Sequence, residues 1–206
     1  MIIALDGPAG AGKTTIGHAL ARHFRCKFIN TGAMYRAVAL ALQRSFPLEE
    51  ITLHVGEEGQ VIVNGQSLGD ALYERDLDQY ASHIARRPEV RNKLIALQRE
   101  LTHDSNVVME GRDIGTVVLP DADVKLYVDA PILERARRRL HQRPGASLEE
   151  VLKELKDRDQ RDQGFGRLSP APDAVMLKTA GKTPEESTAQ ALQLVKEVLE
   201  KSKRAP

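Results

Sequence analysis

The strongest chemical signal in the sequence is a glycine-rich segment close to its start. Residues 7–14 match the pattern G-x-x-x-x-G-K-[ST], in which glycines let backbone N–H groups turn toward phosphate oxygens. Lys13 would supply a mobile charge for the β- and γ-phosphates, and Thr14 a hydroxyl for Mg²⁺. An apolar run precedes the segment and a helical pattern follows it, so we predict an NTP-binding loop rather than a glycine-rich turn without a ligand. The predicted contacts are Gly7, Pro8, Ala9, Gly10, Ala11, Gly12, Lys13, Thr14 and Thr15.

Two further segments place polar side chains directly after predicted strands. Residues 30–36, Asn-Thr-Gly-Ala-Met-Tyr-Arg, follow one strand, and residues 110–116, Glu-Gly-Arg-Asp-Ile-Gly-Thr, follow another. Ligands bind open α/β sheets at the carboxyl ends of their strands. Arg36 could therefore reach an incoming anion, and the glycine-flanked pair Arg112-Asp113 is a candidate functional site. A surface arginine and an ordinary turn remain open as the alternatives.

Strand and helix patterns alternate along most of the chain, which predicts an α/β fold of the P-loop NTPase type, a parallel sheet flanked by helices. Residues 51–68 break the alternation with two β-rich runs and the turn pair Asn64-Gly65, so we predict a small antiparallel insert there. Strands are predicted at 2–5, 27–29, 106–110, 123–129 and 174–177, and helices at 13–24, 31–44, 88–103, 131–142 and 184–201.

Composition narrows the classes of protein to consider. The chain has 206 residues, 41% of them hydrophobic and 29% charged, which suits one globular domain. Its formal charge of +1 gives no global field that would recruit a nucleic acid polymer or an anionic membrane. With a single cysteine and no apolar stretch of membrane-spanning length, we expect a cytoplasmic protein. The six histidines are scattered without ligand spacing, so a zinc site is not expected.

Five blocks, taken in order, resemble the bacterial cytidylate kinase family. They are GPAGAGKTT, NTGAMYRA, ASHIARRPEVR, MEGRDIGTVVLPDADVKLYVDA and RDQRD, and the resemblance extends from Met1 to about Asp173. It implies transfer of the ATP γ-phosphoryl group to CMP or dCMP, with Mg²⁺, by a monomeric single-domain kinase covering 1–206. The insert at 51–68 also fits that family. It would lie within a nucleoside monophosphate (NMP)-binding region at about 31–105.

The resemblance also assigns roles to individual residues. It implies that the phosphates in transfer are surrounded by Lys13, Arg36, Arg112, Arg158 and Arg161, the last two from a lid at about 143–168. A solvated, salt-bridged helix is the alternative for that charged segment. Thr14 would bind Mg²⁺. The implied contacts to CMP are Thr31, Arg36, Ser82, Arg91, Arg112, Asp113, Arg158, Asp162 and Arg167.

The chemistry of cytosine agrees with this placement. Its N4 amino group is a donor that suits the Asp113 carboxylate, which would repel the O4 of uracil, and Ser82 and Arg91 can donate to the remaining acceptors. Two positions depart from the family pattern. Arg167 lies a residue or two away from the family's spacing, and Glu110 stands where many members have Asp.

Two other functions remain as alternatives. One is a kinase for another small acceptor, such as UMP or a non-nucleotide metabolite. The other is a P-loop switch or regulatory nucleotide-binding module. The chain has no N-K-x-D guanine-reading motif and has many candidate acceptor arginines, which argues against the module.

Overall fold

The computed structural model describes residues 1–56, 59–73, 75–103, 105–143 and 145–204. The strands are β1 Ile2–Asp6, β2 Lys27–Asn30, β3 Leu53–Val55, β4 Val61–Val63, β5 Gln66–Ser67, β6 Val107–Glu110, β7 Val124–Asp129 and β8 Val175–Lys178. The α-helices are α1 Lys13–Phe24, α2 Thr31–Gln43, α3 Arg75–Ile84, α4 Pro88–Glu100, α5 Ile132–His141, α6 Leu148–Gly164 and α7 Pro184–Arg204. Short helical turns occupy Leu48–Glu50, Gly69–Tyr73 and Ile114–Val118.

The central sheet has five strands in the order β2-β6-β1-β7-β8, and every neighbouring pair is parallel. The register places Leu5 and Asn30 on either side of Glu110, so the carboxyl ends of β1, β2 and β6 meet at one edge. This confirms the predicted α/β fold, and it brings together the strand ends at which ligands bind in open α/β sheets.

The sheet is covered on both faces, as its nearly continuous apolar strands require. Alternate residues of one strand point to opposite faces, so Ile3 and Leu5 enter the core beneath α1 and α7, while Ala4 enters the core beneath α2 and α4. A smaller cluster joins α5 to α6 through Ala136 and Leu155. This cluster holds α6 close to the loop that follows β1.

The predicted insert is present as an antiparallel sheet in the order β3-β4-β5. Its turn uses Asn64 and Gly65, both with positive φ, of 48° and 77°. The strand predicted from residue 51 begins only at Leu53, because the Asn64 side chain accepts a hydrogen bond from the Thr52 N–H at 2.8 Å.

Other predicted boundaries shift by a few residues. Helix α4 ends at Glu100 rather than near residue 103, and α7 continues to Arg204. Within the predicted lid segment, α6 begins after a capping box formed by Ser147 and Glu150. None of the helices in the described part of the chain has the length and apolar character needed to cross a membrane.

Candidate active site

The loop between β1 and α1 approaches the neighbouring strand closely. Gly7 has φ of +139°, and a Cβ there would lie 2.0 Å from the Val128 carbonyl oxygen, so no other residue fits. The Lys13 side chain is buried and donates a hydrogen bond to the Pro8 carbonyl at 2.8 Å. Burial, and next the positive charge of Arg112, lower the pKa of Lys13 to about 7. The Lys13 ammonium group is therefore held at the loop by its hydrogen bond to Pro8.

Side chains that were not predicted as site residues donate hydrogen bonds to carbonyl groups of this loop. The buried Arg135 donates to the Ala9 carbonyl at 3.1 Å and pairs with Asp159 of α6 at 2.6 Å. The Arg138 guanidinium and the Thr179 hydroxyl both donate to the Ala11 carbonyl, at 3.2 and 3.0 Å. The loop is thus held from behind by α5 and by the residue after β8, and Arg135 links it to α6.

Thr14 and Glu110 form the candidate magnesium site. The Thr14 hydroxyl, in the first turn of α1, donates to Glu110 Oε1 at the end of β6 at 3.1 Å. Glu110 is buried, and its Oε2 has no hydrogen-bond partner among the described residues. A buried carboxylate oxygen without a donor is costly unless a cation or water satisfies it. A hydroxyl beside such a carboxylate is a donor set that fits Mg²⁺.

Arg112 connects the phosphate loop to the acceptor side of the site. Its Nη1 donates to the Gly7 carbonyl at 2.6 Å, and its Nε lies 3.4 Å from Asp162 of α6. Thr31, at the start of α2, donates from its hydroxyl to the Glu110 carbonyl at 2.8 Å. The ends of β1, β2 and β6 are therefore bound to one another at the site.

A buried carboxylate from β1 orders the turn that follows Arg112 and Asp113. The two oxygens of Asp6 accept hydrogen bonds from the backbone N–H groups of Ile114 and Gly115, at 2.8 and 2.7 Å. Burial raises the pKa of Asp6 to about 6, although these two hydrogen bonds lower it. The strand that leads into the phosphate loop thereby positions the Arg-Asp pair as well.

Three arginines converge on Asp78 of α3. Arg36 lies 3.4 Å from Asp78 Oδ1, and Arg139 and Arg158 lie 2.8 and 2.7 Å from Oδ2. Burial raises the pKa of Asp78, but the arginines outweigh it and the pKa is lowered to about 2, so the carboxylate is ionised. Neither Asp78 nor Arg139 was predicted as a site residue.

Polar residues predicted to contact the base also meet. Arg91 donates to Asp113 Oδ2 at 2.5 Å. Arg167 donates to the Ala85 carbonyl, and its guanidinium lies 5.3 Å from the centre of the Phe165 ring. Arg91 thus pairs directly with the buried Asp113. Burial first, and then the positive charge of Arg91, lower the pKa of Arg167.

One cleft of about 310 Å³ collects most of the predicted residues. Arg91 lies behind Asp113, outside the cleft lining. Arg161 does not line the cleft but lines a side cavity that shares Arg158 with it. Thr15 lines a second cavity behind the loop with Arg138 and Lys182. The predicted residues that line the cleft are Ala9, Gly10, Lys13, Thr14, Thr31, Arg36, Ser82, Arg112, Asp113, Arg158, Asp162 and Arg167.

The phosphate loop separates two cavities that could hold two substrates. The cleft lies on the side of α2, α3 and the Arg-Asp pair. The second cavity lies on the side of α5 and α7, where His141, Thr179 and Ser187 line it together with residues 10–16 of the loop and α1. A phosphate-binding loop with an arginine-rich cleft on one side and a second cavity on the other can bring a phosphate donor and a phosphate acceptor together.

Comparisons with known proteins agree with this arrangement. A family model described as cytidylate kinase matches residues 3–197. The cytidylate kinase of Desulfitobacterium hafniense strain Y51 is 42% identical, with 96% of this chain and 94% of that protein covered. A gluconokinase structure from Sinorhizobium meliloti 1021 has a TM-score of 0.55 at 13% identity, with 97% and 93% of the two chains covered, which supports the fold alone.

A longer relative is the bifunctional pantoate ligase/cytidylate kinase of Synechococcus sp. strain JA-2-3B'a(2-13), which is 37% identical over 98% of this chain. The chain spans 41% of the length of that relative. The match over residues 3–197 and the identity with the Desulfitobacterium protein cover nearly the whole chain. The chain belongs to the cytidylate kinase family.

Proposed function

We propose that the chain transfers the γ-phosphoryl group of ATP to CMP or dCMP, giving ADP and CDP or dCDP. The observation that supports this most directly is the single cleft in which Lys13 of the phosphate loop faces Arg36, Arg112 and Arg158. A switch module needs a nucleotide site but has no use for a second arginine-rich site beside it. A kinase needs both.

The reaction requires positioning and charge neutralisation more than a strong base. The acceptor is itself a phosphate anion near neutral pH, and the transition state is loose, with charge spread over the transferring group. We assign Arg36 and Arg112 to the acceptor phosphate. Lys13 and Arg158 would neutralise the transferring group, and Asp162 would face the acceptor sugar.

The magnesium site belongs to the same proposal. Thr14 and Glu110 would hold Mg²⁺, which supplies charge neutralisation between the β- and γ-phosphates when it is bound. The unpartnered Glu110 Oε2 supports this assignment. Gly7, whose contact with Val128 excludes a side chain, lets the loop backbone follow the phosphates.

Selection of the base is assigned to Asp113 and its neighbours. Arg91 orients the Asp113 carboxylate, which would accept a hydrogen bond from the cytosine N4 amino group. Ser82 would contribute a further polar contact from α3, and Arg167 a charge from the segment after α6. Thr31 would line the same pocket.

Two regions are assigned to substrate handling. Residues 31–105 would bind the acceptor, and residues 143–168 would close over the phosphates and exclude water. Gly145, Gly164 and Gly166 would be the hinges of the lid segment. Gly145 and Gly166, with φ of +89° and +66°, lie on either side of α6, and Gly164 is its last residue. Arg161 would reach the phosphates on closure. We further propose that the protein acts as a monomer in the cytoplasm.

The test is a coupled assay of ADP release with ATP and Mg²⁺. CMP, dCMP, UMP, AMP, GMP and a sample without acceptor are run in parallel. We expect fast turnover with CMP and dCMP, slower turnover with UMP and near-zero rates otherwise. A clear preference for another monophosphate would contradict the base assignment. Tight nucleotide binding with negligible turnover of every acceptor would favour the regulatory module.

A further inference from the structure

The Asp78 carboxylate lies where elements from the two sides of the cleft meet. It belongs to α3, and its three arginine partners belong to α2, α5 and α6. Its side chain is 16% exposed, so water screens these ion pairs only partly. One acidic group therefore ties together four helices around the cleft.

The three arginines form the kind of site that binds an anion, and the Asp78 carboxylate occupies it. Arg139 and Arg158 share one carboxylate oxygen, and Arg36 approaches the other. Arginine guanidinium groups bind carboxylate and phosphate with the same paired geometry. Three converging guanidinium groups would repel one another without such an anion. Asp78 thus supplies a charge that a bound phosphate would also supply.

We infer that Asp78 stands in for a substrate phosphate in the substrate-free protein and releases Arg36 and Arg158 when the acceptor phosphate arrives. The assignment of that phosphate to CMP rests on the proposed function. The exchange follows from charge, because an ionised carboxylate and a phosphate dianion compete for the same guanidinium groups. Asp78 therefore keeps the arginines together before binding, and it weakens phosphate binding by the same competition.

Calorimetric titration of the full chain with inorganic phosphate and, separately, with CMP tests this inference. The variant Asp78→Asn keeps the shape of the side chain and removes its charge. We expect it to bind both ligands about tenfold more tightly than the wild type, because the competing charge is gone. Without ligand, its unfolding temperature should fall, and phosphate should restore more of that loss than it adds to the wild type.

The matched control is Asp157→Asn. Asp157 is exposed on α6 and lines the same side cavity as Asp78, but it pairs with none of the three arginines among the described contacts. The variant Asp157→Asn removes one negative charge close to the same arginines without breaking an ion pair with them. Its affinity for phosphate should therefore stay within about twofold of the wild type. Equal or weaker phosphate binding by Asp78→Asn, or the same gain in both variants, would overturn the inference.

A second measurement uses the wild type and does not depend on how the variant folds. In a crystal structure of the complex with CMP, Asp78 should no longer lie within hydrogen-bond distance of Arg36 and Arg158. Retention of both pairs would contradict displacement. If no monophosphate is phosphorylated but Asp78→Asn still binds phosphate more tightly, the proposed function fails and this inference stands. CMP turnover with unchanged phosphate affinity would reject the inference alone.

Discussion

Arg112 donates a hydrogen bond to the carbonyl oxygen of Gly7 at 2.6 Å, so the arginine assigned to the acceptor holds the first residue of the donor loop. Asp6 strengthens the same connection from the neighbouring position, through the N–H groups of Ile114 and Gly115. A displacement of the Arg-Asp turn would therefore move the phosphate loop as well. The positions of the ATP-binding loop and of the residues assigned to the phosphate acceptor are therefore set by one network of hydrogen bonds.

Replacement of Asp113 by Asn should relax the choice of base. The amide can donate to the O4 of uracil, which the carboxylate repels, so we expect the CMP-to-UMP ratio of kcat/KM to fall about tenfold or more. The measurement is the coupled assay with both acceptors. Asp121→Asn, at an exposed site outside the cleft, is the control. An unchanged ratio with reduced activity toward both acceptors would assign Asp113 to positioning Arg91 instead.

The variant Glu110→Gln should weaken the response to magnesium. It keeps an acceptor for the Thr14 hydroxyl but removes the negative charge beside it, and hard cations prefer carboxylate oxygens. We expect the Mg²⁺ concentration for half-maximal activity to rise severalfold, and Mg²⁺·ADP to bind more weakly in calorimetry. Glu100→Gln, exposed at the end of α4, should behave like the wild type. A magnesium response equal to that of the control would remove Glu110 from the site.

Arg158 and Arg161 lie one helical turn apart on α6 and line one side cavity together, but of the two only Arg158 also lines the cleft. Arg158→Gln should lower kcat by roughly 100-fold, since a cation close to the transferring group is lost. Arg161→Gln should lower kcat by about tenfold if α6 moves inward during turnover, as the lid assignment requires. The exposed Arg137→Gln on α5 is the control. If Arg161→Gln matches that control, Arg161 has no part in phosphate binding.

Ionisation of the Asp6 carboxyl should make the free energy of unfolding depend on pH in a defined direction. Its pKa is raised from 3.8 to about 6 on folding, mainly by burial, so between those pH values the folded state binds more protons than the unfolded state. The free energy of unfolding should therefore fall as pH rises through this window. Relative to Asp6→Asn, the wild type should lose about 2 kcal/mol of unfolding free energy between pH 4 and pH 7.

Chemical denaturation of both proteins at several pH values provides the measurement. Asp78 should change the free energy of unfolding in the opposite direction, because folding lowers its pKa to about 2. Its contribution to stability is therefore present near neutral pH and is lost only in strong acid. Asp6 and Asp78 therefore change the free energy of unfolding in separate pH ranges. A difference between wild type and Asp6→Asn that does not change from pH 4 to pH 7 would show that Asp6 is not buried as described.

Local signals made the phosphate loop and the strand-end residues predictable. The loop motif is continuous in sequence, and Arg36 and Arg112 each follow a strand whose end must reach the ligand edge. Asp78 had no such signal, because its partners Arg36 and Arg158 lie 42 and 80 residues away along the chain. Only the fold brings them together, because α3 packs against α2 while α5 and α6 pack on each other across the cleft.

Charged helices were the hardest to interpret from sequence. Arg135, Arg138 and Arg139 belong to a run that is equally typical of a solvated face, yet the first two hold the phosphate loop and the third contacts Asp78. The pattern of α6 likewise did not indicate which of Arg158 and Arg161 faces the cleft. Such choices depend on the rotation of a helix against its neighbours, which charge patterning does not determine.

The order of strands in the central sheet has a consequence for how the protein folds during synthesis. Strand β1 pairs with β6 and β7, and Ile2 lies opposite Val107, so β1 finds no partner strand until synthesis has reached residue 107. Contacts of such long sequence separation slow folding and leave apolar strands exposed meanwhile. The nascent chain should therefore depend on chaperones until residues 107–129 emerge, and nucleotide binding should appear late in translation.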